Sequence, residues 1–225
     1  MIDITQRLSR ALGQAAFVLV LVGCGGGGGG GTSTTPTVTP PDPTLSASSA
    51  GGLFNEPQQV TLTSNGAPIY YTTDGSAPTS SSQRYTAAFT LDNDTTLQAV
   101  AINSAGQRSS TVLLTFRFDF DPPTNFALEA NTLVIDVANE NAFTLTIANG
   151  ELDASFAIEI NDADGFTQAI SLSGQINNAD EQVLSADLSS MADGDVTAVL
   201  SLTDVAGNAS VPFSLALTKA TDTAG

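Results

Sequence analysis

Residues 196–208 read VTAVLSLTDVAGN. Over the first eight positions apolar side chains alternate with polar ones, apart from Val199, which is the period of a β-strand with one buried face. The segment 204–208 then ends the strand in a turn, because glycine and asparagine accept the positive φ angles that tight turns require. A similar segment, INSAGQ, stands at 102–107, and each of the two is followed shortly by a serine and a last strand. This echo predicts two copies of one architecture.

Short alternating runs separated by turn pairs fill both halves of the chain. Asn-Gly, Asp-Gly or Gly-Asn pairs stand at 65–66, 74–75, 149–150, 164–165, 193–194 and 207–208. Strands at this spacing, with such turns, are typical of antiparallel β-sandwiches. We therefore predict an all-β chain in which two tandem immunoglobulin-like β-sandwiches follow a signal peptide and a disordered linker.

Shifts in composition mark the predicted boundaries. Glycine alone fills 25–31, and the following residues are rich in Thr and Pro, which is typical of a flexible stalk without a core of its own. Pro122 and Pro123 cannot continue a hydrogen-bonded ladder and predict the break between the sandwiches. The predicted segments are a signal peptide at 1–23, a linker at 24–43, a first sandwich at 44–118, a second at 119–219 and a tail at 220–225.

The N-terminus has the layout of a secretory signal. Arg7 and Arg10 outnumber the one acid, Asp3, and an almost wholly apolar run at 11–22 then leads to Cys24. As a helix rising ~1.5 Å per residue, such a run covers roughly 18 Å, against ~30 Å of bilayer hydrocarbon. The run is therefore too short for a membrane span.

Residues 21–24, LVGC, resemble the bacterial lipobox, in which the cysteine is acylated and the preceding peptide is removed. The resemblance implies that Cys24 carries acyl chains such as palmitate, and several chains on one residue hold a protein firmly on a membrane. Gly25, rather than an aspartate, follows the cysteine, and by the same resemblance this favours the outer membrane over the inner one. The alternative is an ordinary signal peptide and a spare thiol.

Charge is distributed unevenly along the chain. The formal net charge is −17, and from residue 119 to the end 17 acids stand against Lys219 alone, whereas residues 44–118 are nearly balanced. A strongly acidic half disfavours nucleic acid and anionic lipid head groups as partners and favours cations. Because Cys24 is the only cysteine, the exported chain has no disulfide framework.

Both halves resemble known modules. The first half carries QVTLT at 59–63, IYYTTDGSAPT at 69–79 and TTLQAVA at 95–101. On these motifs, residues 53–116 resemble the chitobiase/β-hexosaminidase C-terminal domain, an immunoglobulin-like module attached to many secreted enzymes and surface proteins. The second half, with TDVAGNAS at 203–210, is similar to the bacterial Ig-like repeats of large surface adhesins. Neither resemblance brings a catalytic residue onto this chain.

Residue types that support common catalytic chemistry are scarce. Histidine is absent and Cys24 is assigned to the lipid, so a nucleophile lacks an evident base. Most acids stand in turns or on solvent-facing strand positions such as Glu159, whereas glycoside hydrolysis needs a carboxyl with a raised pKa in an apolar cleft. We predict that the chain is not an enzyme.

The only cofactor that the sequence suggests is Ca²⁺. In an immunoglobulin-like sandwich, the loop after the second strand and the loop before the last strand return to the end at which the chain enters. This places acids of those loops near the acids of the linker. Ca²⁺ binds carboxylate oxygens and tolerates an irregular arrangement of its ligands. The predicted ligands are Asp119, Asp121, Glu151, Asp153 and Asp204. The alternative is that all five are solvated turn residues.

Three tyrosines suggest a glycan-binding surface. Tyr70 and Tyr71 are neighbours in one strand, so one of them faces outward, and Tyr85 is predicted nearby. Sugar rings stack on exposed aromatic faces, although such a tyrosine more often covers a sheet edge.

The function predicted from the sequence is that of a non-catalytic, lipid-anchored protein of the cell envelope. It would display immunoglobulin-like modules in a structural, adhesive or interaction role. Its predicted partners are the membrane, through the lipid, and a glycan or protein ligand. The alternative is a carbohydrate-binding accessory lipoprotein for chitin or peptidoglycan-type glycans.

Overall fold

The computed structural model of the protein describes residues 39–163 and 168–220, and this part of the chain is almost entirely β-structure. The predicted signal peptide, Cys24 and most of the predicted linker lie outside the described residues. Within the described ranges, no helix is long and apolar enough to cross a membrane.

The first sandwich contains nine short strands. They are β1 (Leu45–Ala47), β2 (Gly52–Phe54), β3 (Gln58–Val60), β4 (Leu62–Ser64), β5 (Ile69–Thr72), β6 (Gln83–Arg84), β7 (Phe89–Leu91), β8 (Thr95–Ala101) and β9 (Val112–Phe118).

One layer of this sandwich is a five-stranded sheet in the order β2-β9-β8-β5-β6. The facing layer consists of two pairs, β1 with β4 and β3 with β7. Because Thr61 alone separates β3 from β4, these two strands act as one kinked strand that holds both pairs in a single layer.

The second sandwich follows with eight strands and one 3-10 turn. They are β10 (Ala127–Ala130), β11 (Val134–Ile135), the 3-10 turn Glu140–Ala142, β12 (Phe143–Ala148), β13 (Ser155–Asp162), β14 (Ile170–Gln175), β15 (Glu181–Ala186), β16 (Gly194–Thr203) and β17 (Phe213–Lys219). Its layers are a five-stranded sheet, β11-β17-β16-β13-β14, and a three-stranded sheet, β10-β12-β15.

The two sandwiches share one topology, strand for strand. In each, the first strand pairs antiparallel in the smaller layer, and the chain then crosses to pair parallel with the last strand of the larger sheet, as β2 does with β9 and β11 with β17. The prediction of two tandem immunoglobulin-like β-sandwiches is thereby confirmed, although these two parallel pairs depart from the antiparallel scheme expected for every strand.

A glycine pair allows the first of these crossings. Gly51 and Gly52 have φ angles of 68° and 149°. A Cβ on Gly51 would stand 2.7 Å from the carbonyl oxygen of Thr115, so a larger residue would collide with the backbone of β9. Only glycine fits a position that combines positive φ with so close an approach.

Each sandwich has its own apolar core. Leu97, Ala99 and Phe116 are fully buried in the first core, and Phe143, Ile158 and sixteen further buried side chains fill the second. The buried positions alternate along each strand, so that β13 buries every second side chain from Phe156 onward. The period of two seen in the sequence therefore corresponds to core-facing side chains.

The folded part begins before the boundary expected from composition. Pro43 is buried, and Asn65 Nδ2 donates a 2.8 Å hydrogen bond to the carbonyl of Asp42. Residues 41–43 therefore belong to the first sandwich rather than to the linker that was predicted to extend to residue 43.

Removing a large side chain from one core should destabilise that sandwich and spare the other. Phe116 and Phe143 are each 0% exposed, so Phe116→Ala and Phe143→Ala should each lower the free energy of unfolding of the sandwich concerned by about 3–5 kcal/mol. Urea unfolding followed by residue-resolved hydrogen exchange measures the two sandwiches separately. Leu113→Ala, at a side chain 60% exposed, is the control. An equal loss in both sandwiches after either core substitution would contradict separate cores.

Candidate functional site

The junction between the sandwiches is built around the main chain of Asp119. Its N–H donates to the carbonyl of Phe54 in the first sandwich at 3.0 Å, and its own carbonyl accepts a 2.8 Å hydrogen bond from Asn208 Nδ2 in the second. One residue of the linker is thus bound to both sandwiches. Phe120, which follows it, stacks on Phe118 with ring centroids 5.7 Å apart and stays 46% exposed.

Asp204 organises the loop that supplies Asn208. Its Oδ1 accepts hydrogen bonds from the N–H groups of Gly207 and Asn208 at 2.7 and 2.8 Å. Its Oδ2 accepts a third from Asn208 Nδ2 at 2.8 Å, which orients that carboxamide toward the linker. Asp204 is only 7% exposed, so both of its oxygens serve the loop itself.

The structure brings three of the five predicted calcium ligands into electrostatic contact. Glu151 has a pKa raised above its ordinary value, first because the carboxyl is partly desolvated and then because the charges of Asp204 and Asp119 lie close. These three acids therefore lie close enough to interact where the chain enters the second sandwich.

The other two predicted ligands have structural roles. The N–H of Asp121 donates to Asp119 Oδ1 at 3.1 Å, and Asp153, at a φ of 65°, donates its N–H to the carbonyl of Ile176. Within residues 39–163 and 168–220, no three His, Cys, Asp or Glu side chains are arranged to hold a metal ion. The calcium site therefore stays a prediction from sequence, and the geometry described here is that of a hydrogen-bonded junction.

The corresponding loop of the first sandwich has the same construction. Asn103 Oδ1 accepts from the N–H groups of Ala105 and Gln107, both at 3.0 Å. Asn103 Nδ2 donates to the carbonyl of Pro41 at 3.0 Å, and Gln107 Nε2 donates to Asp42 Oδ1 at 2.8 Å. A cavity of about 310 Å³ lies between this loop, the turn at 65–68 and the prolines at 40–41.

Hydrogen bonds within the sandwich explain the motif at 72–79. Asp74 Oδ1 accepts from both the N–H and the hydroxyl of Ser76, and these bonds hold the pKa of Asp74 below its ordinary value. Gln98 Nε2 donates to the carbonyl of Gly75 at 2.7 Å, which fastens this loop across the outer face of β8. The motif thus shapes a loop that lies on the sheet.

The three tyrosines do not form one surface. Tyr71 is 7% exposed in the core and stacks on Phe89 with ring centroids 4.9 Å apart, so no sugar ring can reach its face. Tyr85 packs against the same core and meets Phe89 edge-on. Tyr70 alone points to the outer face of the sheet, where it is half-buried beside Arg84. The prediction that Tyr71 binds glycan is therefore wrong, because this side chain is the inward-facing member of the pair.

Lys219 is a residue whose role sequence reasoning missed. Its ammonium is buried, donates to the carbonyls of Leu188, Ser189 and Met191 at 2.8–2.9 Å, and lies 3.0 Å from Glu140 Oε2. These partners close the end of the second sandwich at which its last strand finishes. The signal was present in the sequence: the core-facing alternation through Leu215 and Leu217 continues to position 219.

The first sandwich matches a family model. Residues 49–113 match the chitobiase/beta-hexosaminidase C-terminal domain, which confirms the resemblance drawn from the motifs of the first half. The match covers less than a third of the chain, and its description names a C-terminal domain of those enzymes. No curated protein matches the sequence of the chain.

Several solved structures are similar to this chain. The chain is similar to the fibronectin(III)-like modules of Clostridium thermocellum CbhA, with 15% identity, a TM-score of 0.46, and coverage of 78% of this chain and 95% of that chain. It is also similar to a tetra-tandem repeat in the extending region of a large adhesion protein (17% identity, TM-score 0.36, 78% and 49% covered) and to the D00-D0 domain of Intimin (16%, 0.35, 79% and 99%). At these identities and scores the likenesses carry no argument about function.

Neutralising Glu151 should stabilise the protein in a pH-dependent way. A carboxyl with a raised pKa binds its proton more tightly in the folded state, so its ionisation opposes folding above that pKa and has no effect once both states are protonated. Glu151→Gln should therefore raise the free energy of unfolding at about pH 7, and the gain should vanish at about pH 3. Glu159→Gln, at an exposed position of β13, removes the same charge and is the control. Equal gains in both variants would contradict a local effect.

Calcium binding by the junction acids is measured by comparing thermal melts in calcium and in chelator at low ionic strength. If Asp119, Glu151 and Asp204 bind the ion, calcium should raise the melting temperature of the wild type, because a ligand that binds only the folded state stabilises it. Glu151→Gln should reduce that rise. An identical melting temperature in calcium and in chelator would remove the prediction.

Proposed function

We propose that this protein is a non-catalytic, lipid-anchored component of the bacterial cell envelope that displays two immunoglobulin-like modules. The observation that carries the proposal is the serial arrangement of the modules. The chain enters each sandwich beside the loop that precedes the last strand, and it leaves from the far end of that strand. Modules joined in this way extend a chain away from its point of attachment.

The length of the last strand sets how far each module moves the chain away from its point of attachment. At about 3.3 Å per residue, the seven residues of β9 and of β17 each carry the chain roughly 20 Å. The proposed attachment is Cys24, on the strength of the apolar run and the LVGC segment before it. The stretch between Cys24 and the first sandwich, rich in glycine, threonine and proline, would serve as the stalk.

The family match also supports a display role. The matched model is a C-terminal domain of chitobiases and β-hexosaminidases, and here that module is followed by a second sandwich of the same topology. The adhesin-type character of the second sandwich and the outer-membrane location are parts of the proposal that come from the sequence. The large excess of acids in the second half suits a surface that remains soluble in salt.

The anchor is tested by mass spectrometry of the mature N-terminus after expression in a Gram-negative host fed a clickable palmitate analogue. The wild type should begin at residue 24, carry acyl chains and sediment with membranes, because several chains hold a protein on a bilayer. Cys24→Ser should lose the label and the membrane association. Ser33→Ala, in the same stalk, is the control.

Three further outcomes bear on the proposal. Gly25→Asp should move the acylated protein from outer to inner membranes, since aspartate after the lipidated cysteine favours retention. A wild-type protein found unacylated and free in the medium would contradict the anchor. Saturable retention on chitin that Tyr70→Ala abolishes would instead favour the carbohydrate-binding alternative.

A further inference from the structure

The loop before the last strand repeats in both sandwiches at the level of single hydrogen bonds. In the first, the N–H of Asn103 bonds the carbonyl of Gln107 at 3.1 Å; in the second, the N–H of Asp204 bonds the carbonyl of Asn208 at 3.1 Å. In both, the side-chain oxygen at the first of these positions accepts from the N–H four residues on. Residues 103–107 and 204–208 thus form the same closed turn.

A serine braces each turn against the strand before it. Ser109 Oγ accepts from the N–H of Ala101 at 3.0 Å, and Ser210 Oγ accepts from the N–H of Leu202 at 2.9 Å. The serine N–H groups return to the carbonyls of the same two residues at 2.9 and 2.8 Å. Each turn is therefore fixed to a long central strand of the larger sheet.

One carboxamide NH₂ group in each turn bonds both the turn and the entering chain. Within the turns, Asn103 Nδ2 donates to Gln107 Oε1 and Asn208 Nδ2 donates to Asp204 Oδ2, both at 2.8 Å. Asn103 Nδ2 donates to the carbonyl of Pro41, and Asn208 Nδ2 donates to the carbonyl of Asp119. These bonds contribute nothing to the turn itself, because each turn is already closed by its own main chain and its side-chain oxygen. Their effect falls on the segment that leads into the sandwich.

The segments that are held also resemble each other. Asp-Pro-Thr stands at 42–44, and Asp-Pro-Pro-Thr stands at 121–124. The proline before the threonine, Pro43 in the first case and Pro123 in the second, is buried, and both threonines are exposed. Proline suits such a position because its fixed φ limits the conformations of the segment that enters the sandwich.

We propose that the two turns, 103–107 and 204–208, are clamps that fasten the entering chain to each sandwich. The first clamp holds the end of the stalk with a joint of the same construction as the joint between the sandwiches. A pull along the chain from the anchor is then passed through the clamp into β8 and β16, both central strands, instead of peeling away the short strands β1 and β10. The inference deepens the proposed display role, but the joint itself is measured without the lipid.

Matched substitutions in the two clamps test this. Asn103→Ser and Asn208→Ser each remove the carboxamide donor, while serine at 103 still offers an oxygen to the turn. The purified full-length chain is digested under native conditions with an endoprotease that cleaves before aspartate, and cleavage rates before Asp42, before Asp119 or Asp121, and before Asp204 are followed by mass spectrometry.

Each variant should open its own joint and leave the other closed. Asn103→Ser should raise the rate before Asp42, and Asn208→Ser the rate before Asp119 or Asp121, by on the order of tenfold, as expected for the loss of one or two hydrogen bonds. Cleavage before Asp204 should stay slow in Asn103→Ser, and Asn208→Gln should restore the closed second joint, since glutamine serves the same loop position in the first sandwich.

Unchanged rates at the altered joint, or equal increases at both joints in both variants, would overturn the proposal. If Asn208→Ser unfolds the second sandwich, which rapid cleavage before Asp204 would report, Asn103→Ser alone decides the matter at the first joint. Failure here leaves acylation of Cys24 untouched, because the mass of the mature N-terminus reports that step separately.

Discussion

The main chain of Asp119 is shared between two folded bodies, and the arrangement of the described chain depends on it. Its N–H donates to the first sandwich and its carbonyl accepts from the second. Both hydrogen-bonding groups of this linker residue are therefore used to join the two modules. Asp119 is half-buried, and because both of its main-chain polar groups have partners, neither bears the desolvation cost of an unpaired group. The pKa of Glu151 beside this connection is raised, first by partial desolvation and then by the charges of Asp204 and Asp119. The hydrogen bonds of Asp204 to the N–H groups of Gly207 and Asn208 hold the loop in place.

Both sandwiches solve the same packing problem with different residues. The chain must leave the smaller layer after its first strand and join the larger sheet beside the last strand, which closes an edge that would otherwise be exposed. At the end where the chain leaves, the first sandwich is closed by aromatic rings: Phe118 stacks on Phe120 and meets the tilted ring of Phe54. In the second, Lys219 takes the register position that Phe118 has in the first, and its buried ammonium is satisfied by three carbonyls and a carboxylate. A buried charge is tolerated there because every donor has an acceptor.

Function in a molecule of this kind lies on surfaces and joints. The loop at 72–79, the most specific motif of the first half, is hydrogen-bonded to β8 through Gln98. Tyr71 packs in the core. What remains for a role at the envelope is the order of the parts: an acylated cysteine as proposed, a stalk, and two modules entered and left at opposite ends. The proposed clamps would pass a pull on the stalk from the first module to the second. The family match is to a domain that accompanies enzymes, and the second sandwich repeats its topology.

Alternation with a period of two, together with Asn-Gly and Asp-Gly turns, was enough to predict two β-sandwiches, because core-facing side chains and turn geometry are local properties of the chain. The echo between 102–107 and 203–208 also revealed the repeated loop, and loop topology placed Glu151 near Asp204. The local pattern left open which of Tyr70 and Tyr71 faces the core. Alternation shows that the two side chains point to opposite faces, but only the pairing of Tyr71 with Ala99 fixes which face is buried. Nor could it show that Asn103 and Asn208 reach Pro41 and Asp119, because contacts separated by 62 and 89 residues exist only once the sheets have packed.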